Sequence, residues 1–139
     1  MSHVEDVRLG CVVHGTDRSY RSQQGSSYAG AISKETVGAR NIWLGRVTIP
    51  AGGRTRAHVH QLHESAFYLL EGRDVELWTG AELEHREVAN VGDYLYIPAN
   101  VPHVAVNRGD IDAVFIGVRN EATAQESVVM RPELDSKVP

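Results

Sequence analysis

Residues 57–72 read AHVHQLHESAFYLLEG and set His58, His60, His63 and Glu64 within seven positions, ahead of an apolar run that closes at Gly72. Neutral imidazole is the commonest metal ligand, and it can be buried without burying a charge. Polar and apolar residues alternate through RTRAHVH. On a strand, side chains two apart share a face, so His58 and His60 project together while Val59 points the other way. Such a pair can clamp one cation, or it can be two surface histidines. His63 and Glu64 just downstream, and His103 in the later stretch GDYLYIPANVPHVAVN, are the further ligands that a metal centre would need. His3, His14 and His85 lie outside both stretches and are assigned no metal role.

The elements that must hold these residues are short β-type runs. From residue 40 onward NIWLGRVTIP, RTRAHVH, SAFYLLEG, DVELWTG, HREVAN, DYLYIP, HVAVN and AVFIGVR follow one another, punctuated by Gly, Asn, Asp and Pro. This spacing predicts an all-β antiparallel sandwich or small barrel rather than alternating βαβ units. Residues 1–39 comprise an N-terminal apolar run, VRLGCVVHG, expected to form an edge strand, and a polar stretch, TDRSYRSQQGSSYAG, expected to be a long surface loop. Residues 40–120 form the barrel core. In the extension 121–139, ESVVM is expected to add an edge strand or to pack on a neighbouring subunit, with frayed residues after it.

Composition narrows the function classes. A chain of 139 residues is read as one domain, large enough for a core around a pocket. With 42% hydrophobic and 23% charged residues it is that of a folded soluble protein, and no apolar stretch approaches the roughly 20 residues of a membrane span. A formal charge of -4 argues against a nucleic-acid partner. The start MSHVEDVRLG has neither a basic segment nor an apolar core, and Cys11 is the single cysteine. Both features predict a cytoplasmic protein without disulfides.

Two stretches together resemble the cupin family. GGRTRAHVHQLHESAFYLLEG is similar to the first cupin motif, through Gly52, His58, His60, Glu64 and Gly72. GDYLYIPANVPHVAVN is similar to the second, through Gly92, Pro98, His103 and Asn107. The resemblance implies a double-stranded β-helix, a jelly-roll-like barrel, with a divalent metal inside it and a homodimeric assembly. Asn100 stands where the second motif usually has glycine, a change that asparagine accommodates because it tolerates left-handed backbone.

The first motif departs from the family pattern at its carboxylate. Six residues usually separate the glutamate ligand from the closing glycine, whereas seven lie between Glu64 and Gly72, so the usual ligand position falls on Ser65. Strand alternation gives His63 the same face as Ser65 and turns Glu64 away unless a bulge intervenes. His58, His60, His63 and His103 then make an all-imidazole set, which resembles zinc-containing cupin polyketide cyclases of the resistomycin type. Zn2+ is the cation this set implies. Glu64 as ligand instead would suit Fe2+, Mn2+ or Ni2+, and Glu64 outside the ligand set could orient an imidazole or carry a proton.

Trp43, Val47, Phe67 and Tyr96 are expected to line the substrate pocket, a mostly apolar cavity suited to an aromatic or polyketide-like small molecule. Three functions follow. In the first the metal acts as a Lewis acid in enolisation and cyclisation. The second is an iron-dependent dioxygenase, and the third a binding module without turnover.

Overall fold

A computed structural model describes residues 7–15, 20–22, 24–123, 125 and 127–139. The strands are β1 (Tyr20–Arg21), β2 (Ser27–Ile32), β3 (Trp43–Ile49), β4 (His58–His60), β5 (Ser65–Glu71), β6 (Val75–Thr79), β7 (His85–Ala89), β8 (Tyr94–Ile97), β9 (His103–Asn107), β10 (Ala113–Arg119) and β11 (Val128–Met130). A one-turn helix, α1 (Lys34–Val37), and a 3-10 helix (Pro132–Lys137) complete the described elements. The strands form two antiparallel sheets, in the order β1-β2-β3-β10-β5-β8 and β11-β4-β9-β6-β7. Non-sequential neighbours such as β3-β10 and β4-β9 are what bring segments distant in sequence onto one cavity.

Alternation builds the core between the sheets. Trp43, Val47 and Ile49 of β3 point inward opposite Arg119, Phe115 and Ala113 of β10, and the strand centres meet at Gly45 and Gly117. Both glycines are needed there. A Cβ at Gly45 would lie 2.8 Å from the Trp43 ring, and one at Gly117 would lie 2.7 Å from the Phe67 ring, so the missing side chains make room for two large aromatics. Tyr28, Leu69, Val75, Leu77, Leu95 and Ile97 complete this core.

A second, smaller core lies on the outer face of the five-stranded sheet. Ala57, Val104 and Val106 point away from the cavity and pack with Leu83, Leu134 and Val138. The C-terminal residues therefore do not fray as expected. Burial of Leu134 and Val138 anchors the 3-10 helix, and Arg54 donates to the Val138 carbonyl at 2.9 Å. With both faces covered, β4 is buried at all three of its positions.

The N-terminal half of the chain differs from expectation in two places. Residues 7–15 carry no strand, and Val7, Leu9 and Val12 are exposed. The segment expected as a loop contributes β1 and most of β2, because Tyr28 is an apolar anchor in the polar run, pairing in register with Val47 and packing its ring 5.3 Å from Trp43. The edge strand expected at ESVVM is β11, paired with β4. Asn100 has a φ of 60°, the left-handed conformation expected where glycine is usual. Among the described residues no helix is long and apolar enough to cross a membrane.

Candidate metal centre

Pairing of β4 with β9 joins the two motifs. His58 and His103 are direct register partners across that ladder, and His60 lies one alternation further along β4 on the same face. One ring nitrogen from each of His58, His60 and His103 can be chosen so that all three lie within 4.8 Å of one another. The ring centroids are 4.2 Å apart for His58 and His103, 5.1 Å for His58 and His60, and 5.5 Å for His60 and His103. All three side chains are buried.

Hydrogen bonding orients two of the rings. His58 Nδ1 donates to the Arg56 carbonyl at 2.6 Å, and His103 Nδ1 donates to the Val101 carbonyl at 2.9 Å. With Nδ1 committed as donor, each Nε2 carries its lone pair, the tautomer a cation requires. Neither nitrogen of His60 has a hydrogen-bond partner, although the residue is only 1% exposed. Leaving a buried imidazole unpaired costs free energy unless something else coordinates it. Two Nε2 lone pairs converging beside the unpartnered His60 ring fit a divalent cation, which His58, His60 and His103 would hold.

The electrostatics keep the rings neutral. Burial lowers the His58 pKa to about 4; the bond to the Arg56 carbonyl opposes the shift and the positive charge of Arg119 adds to it. Burial and then Arg119 push His60 down further still. His103 is held well below the ordinary imidazole value, by burial first and the neighbouring His58 next. Neutral imidazoles at pH 7 are ready to bind a metal without releasing protons.

The remaining expected site residues divide between the cavity wall, the core and the surface. His63 precedes β5 and lies outside the three-histidine group, its Nδ1 lying 2.7 Å from Ser127 Oγ and 3.3 Å from Glu121 Oε2. Glu64 is exposed and accepts from the Tyr96 hydroxyl at 3.1 Å, a bond that raises the tyrosine pKa. Tyr96 is 58% exposed on the outer face of the six-stranded sheet, and so does not line the cavity. Its neighbour Leu95 takes the inward position, because alternation along β8 admits one or the other. Val47 and Phe67 line the cavity as expected, while Trp43 is buried behind that wall in the core. Ser65, at the position where the family usually has its carboxylate, is buried and accepts from Arg119 Nε at 2.7 Å.

Arg119, Glu121 and Gln24 were not anticipated. Arg119 is 2% exposed, lines the cavity with His58 and His103, and pairs with the fully buried Glu121 at 3.4 Å. The signal was present in AVFIGVR, where Arg119 is in phase with the inward set Ala113, Phe115 and Gly117. Gln24, by contrast, sits in a polar stretch with no periodicity to reveal that it is buried.

The chain belongs to the cupin family: residues 45–119 match the cupin domain, and the two antiparallel sheets form its double-stranded β-helix. A 68-residue segment is 32% identical to the uncharacterized protein MJ1618 of Methanocaldococcus jannaschii, covering 49% of this chain and 51% of that protein. A 55-residue segment is 42% identical to quercetin 2,3-dioxygenase of Bacillus subtilis, covering 39% of this chain but 15% of the enzyme. The matches thus span about half of the first relative and far less of the second. Among solved structures, a Cupin 2 conserved barrel domain protein from Salinispora arenicola superposes with a TM-score of 0.66 at 19% identity, over 82% of this chain and 92% of that one. That likeness concerns the fold.

Proposed function

We propose that the protein is a metal-dependent cupin enzyme acting on an aromatic or polyketide-like small molecule. Bound to the triad, a divalent cation, Zn2+ by preference, supplies Lewis acidity that favours enolisation and cyclisation at a substrate oxygen. The observation that carries this reading is the convergence of three buried imidazoles, His58 and His103 of which line an apolar cavity with Nε2 free. Arg56 and Val101 fix the ring tautomers through their carbonyls, and Val47, Phe67 and Phe115 exclude water and hold an apolar substrate body. In this proposal His63 does not ligate; it partners the buried Glu121.

A second reading, an iron-dependent dioxygenase, is favoured by the segment shared with quercetin 2,3-dioxygenase. Metal analysis of protein purified without added metal, together with oxygen uptake on candidate phenols, separates the two. Zinc without oxygen consumption supports the first reading, and iron with substrate-dependent consumption replaces it with the second. A protein that retains no divalent metal overturns both.

We also propose that the assembly is a homodimer in which a second copy covers the outer face of the six-stranded sheet. Rows of Leu44, Val118, Ala66 and Tyr96, and of Ile116, Tyr68 and Tyr94, cross this face beside the charged side chain of Arg46. Tyr94 is 82% and Tyr96 58% exposed. These two rings alone present roughly 300 Å² of surface, a large part of an ordinary subunit contact.

A further inference from the structure

We propose that Asp135 is a positioning residue of the metal centre: its carboxylate accepts the Ala57 N–H and thereby fixes and polarises the Arg56–Ala57 peptide group, whose carbonyl orients His58. The inference deepens the metal-enzyme reading and rests on it for the cation, whereas the relay from carboxylate to imidazole stands on hydrogen bonds alone.

The relay runs through one peptide unit. Asp135 Oδ1 lies 2.7 Å from the Ala57 nitrogen, and the Arg56 carbonyl oxygen lies 2.6 Å from His58 Nδ1. That nitrogen and that oxygen belong to the same planar amide, where the N–H and the C=O point in opposite directions. A carboxylate on the N–H draws the amide toward its charge-separated resonance form, so the carbonyl becomes a stronger acceptor and the bond from Nδ1–H tightens. A more firmly held Nδ1–H makes Nε2 the better electron-pair donor to a cation, which is what a carboxylate achieves when it binds a ligating imidazole directly. The negative charge of Asp135 also acts on the ring, in the direction that favours positive charge there.

Two features of the chain make this arrangement particular to His58. His103 also donates from Nδ1 to the carbonyl two residues earlier, that of Val101, but Pro102 follows, so that amide has no N–H for an acid to hold. Asp135, for its part, is placed by the C-terminal segment. β4 meets β9 in register at His58 alone, whereas β11 pairs with all three of its residues. The ladder continues in the bond from the Arg131 N–H to the Ala57 carbonyl at 2.9 Å, and Pro132 then turns the chain into the 3-10 helix that brings Asp135 back to Ala57. Leu134 and Val138, each 4% exposed, anchor the chain on either side of Asp135, and Arg54 donates to the carbonyls of Asp135 and Val138 at 3.3 and 2.9 Å.

Two measurements on the full chain test the proposal: zinc affinity by competition with a chromophoric chelator, and the Nδ1–H resonances of His58 and His103 in stripped protein by NMR. Asp135→Ala should weaken zinc binding about tenfold or more. It should also shift or broaden the His58 resonance and leave that of His103 in place. Asp135→Asn keeps an oxygen for the Ala57 N–H and should recover most of the lost affinity. Four results would each overturn the proposal: unchanged zinc affinity in Asp135→Ala, an unmoved His58 resonance, equal movement of both histidines, which marks a general loosening of the fold, or an asparagine variant as weak as the alanine one. Wild-type protein that takes up no zinc, with the His58 resonance still moving selectively in Asp135→Ala, leaves the relay standing and removes the metal-enzyme reading. Zinc bound with equal strength by wild type and Asp135→Ala keeps that reading and removes the relay.

Discussion

His58 and His103 face each other as register partners across the β4–β9 ladder, their ring centres 4.2 Å apart, although 45 positions separate them in the chain. The ladder, rather than any local turn, makes the metal centre. Its consequence is that neither motif can bind a cation well alone. His58→Ala, His60→Ala and His103→Ala should each lower metal affinity by more than about 100-fold, since loss even of a residue that only orients a ligand costs about 10- to 100-fold. Circular dichroism should show the β-barrel retained. Full metal occupancy in all three variants would end the metal-centre proposal.

His60 provides a sharper test because it has two unpaired nitrogens and 1% exposure. Leucine has similar bulk and no polar atom to satisfy. His60→Leu should therefore stabilise the metal-free protein by about 1–3 kcal/mol while abolishing the stabilisation that added metal gives the wild type. Thermal melts of stripped and loaded samples read both effects. A residue serving the fold would show the opposite sign in the stripped protein.

His63 touches Ser127 and Glu121, so its removal should act on stability before metal binding. His63→Ala leaves the buried Glu121 with one fewer partner and should destabilise the protein by about 1–3 kcal/mol. Its metal affinity should change far less than that of His103→Ala. Comparable losses of metal in the two variants would return His63 to the ligand set.

The pH dependence of the stripped protein follows from His58. Its pKa is about 4 when folded, against 6.5 as the ordinary value, so between these limits the unfolded chain binds more protons. The stability of the neutral buried ring is fully present above pH 6.5 and is lost as pH falls toward 4. The loss amounts to about 3 kcal/mol from this residue, and the downward shifts of His60 and His103 act in the same direction. Urea unfolding at pH 7 and pH 4.5 should differ accordingly, and His58→Ala should reduce the difference while leaving the part that His60 and His103 contribute.

The homodimer proposal puts Tyr94 in the contact. Tyr94→Asp would bury a carboxylate in an apolar interface, so it should convert a dimer to monomer in sedimentation with little change in the melting of the isolated subunit. A wild-type monomer at high concentration would remove the proposal.

The spacing in RTRAHVH and HVAVN already placed His58, His60 and His103 on strands facing one way, because period-two alternation is a local property of the backbone. Local chemistry also foretold Asn100 in a left-handed conformation and the ESVVM edge strand. What decided the rest was pairing between distant strands and the burial it creates. Tyr28 turned an apparent loop into a strand by packing on Trp43, Leu134 and Val138 found an apolar face to cover, and Tyr96 was set outside by the phase of β8. His63, two residues before a buried strand position, looked like a fourth ligand in sequence. The fold instead set Ser65 and Arg119 opposite each other at that edge of the cavity and supplied His63 with Glu121. Residue types and their alternation are written in the chain, but which buried polar side chains meet depends on strands that pair across long separations in sequence.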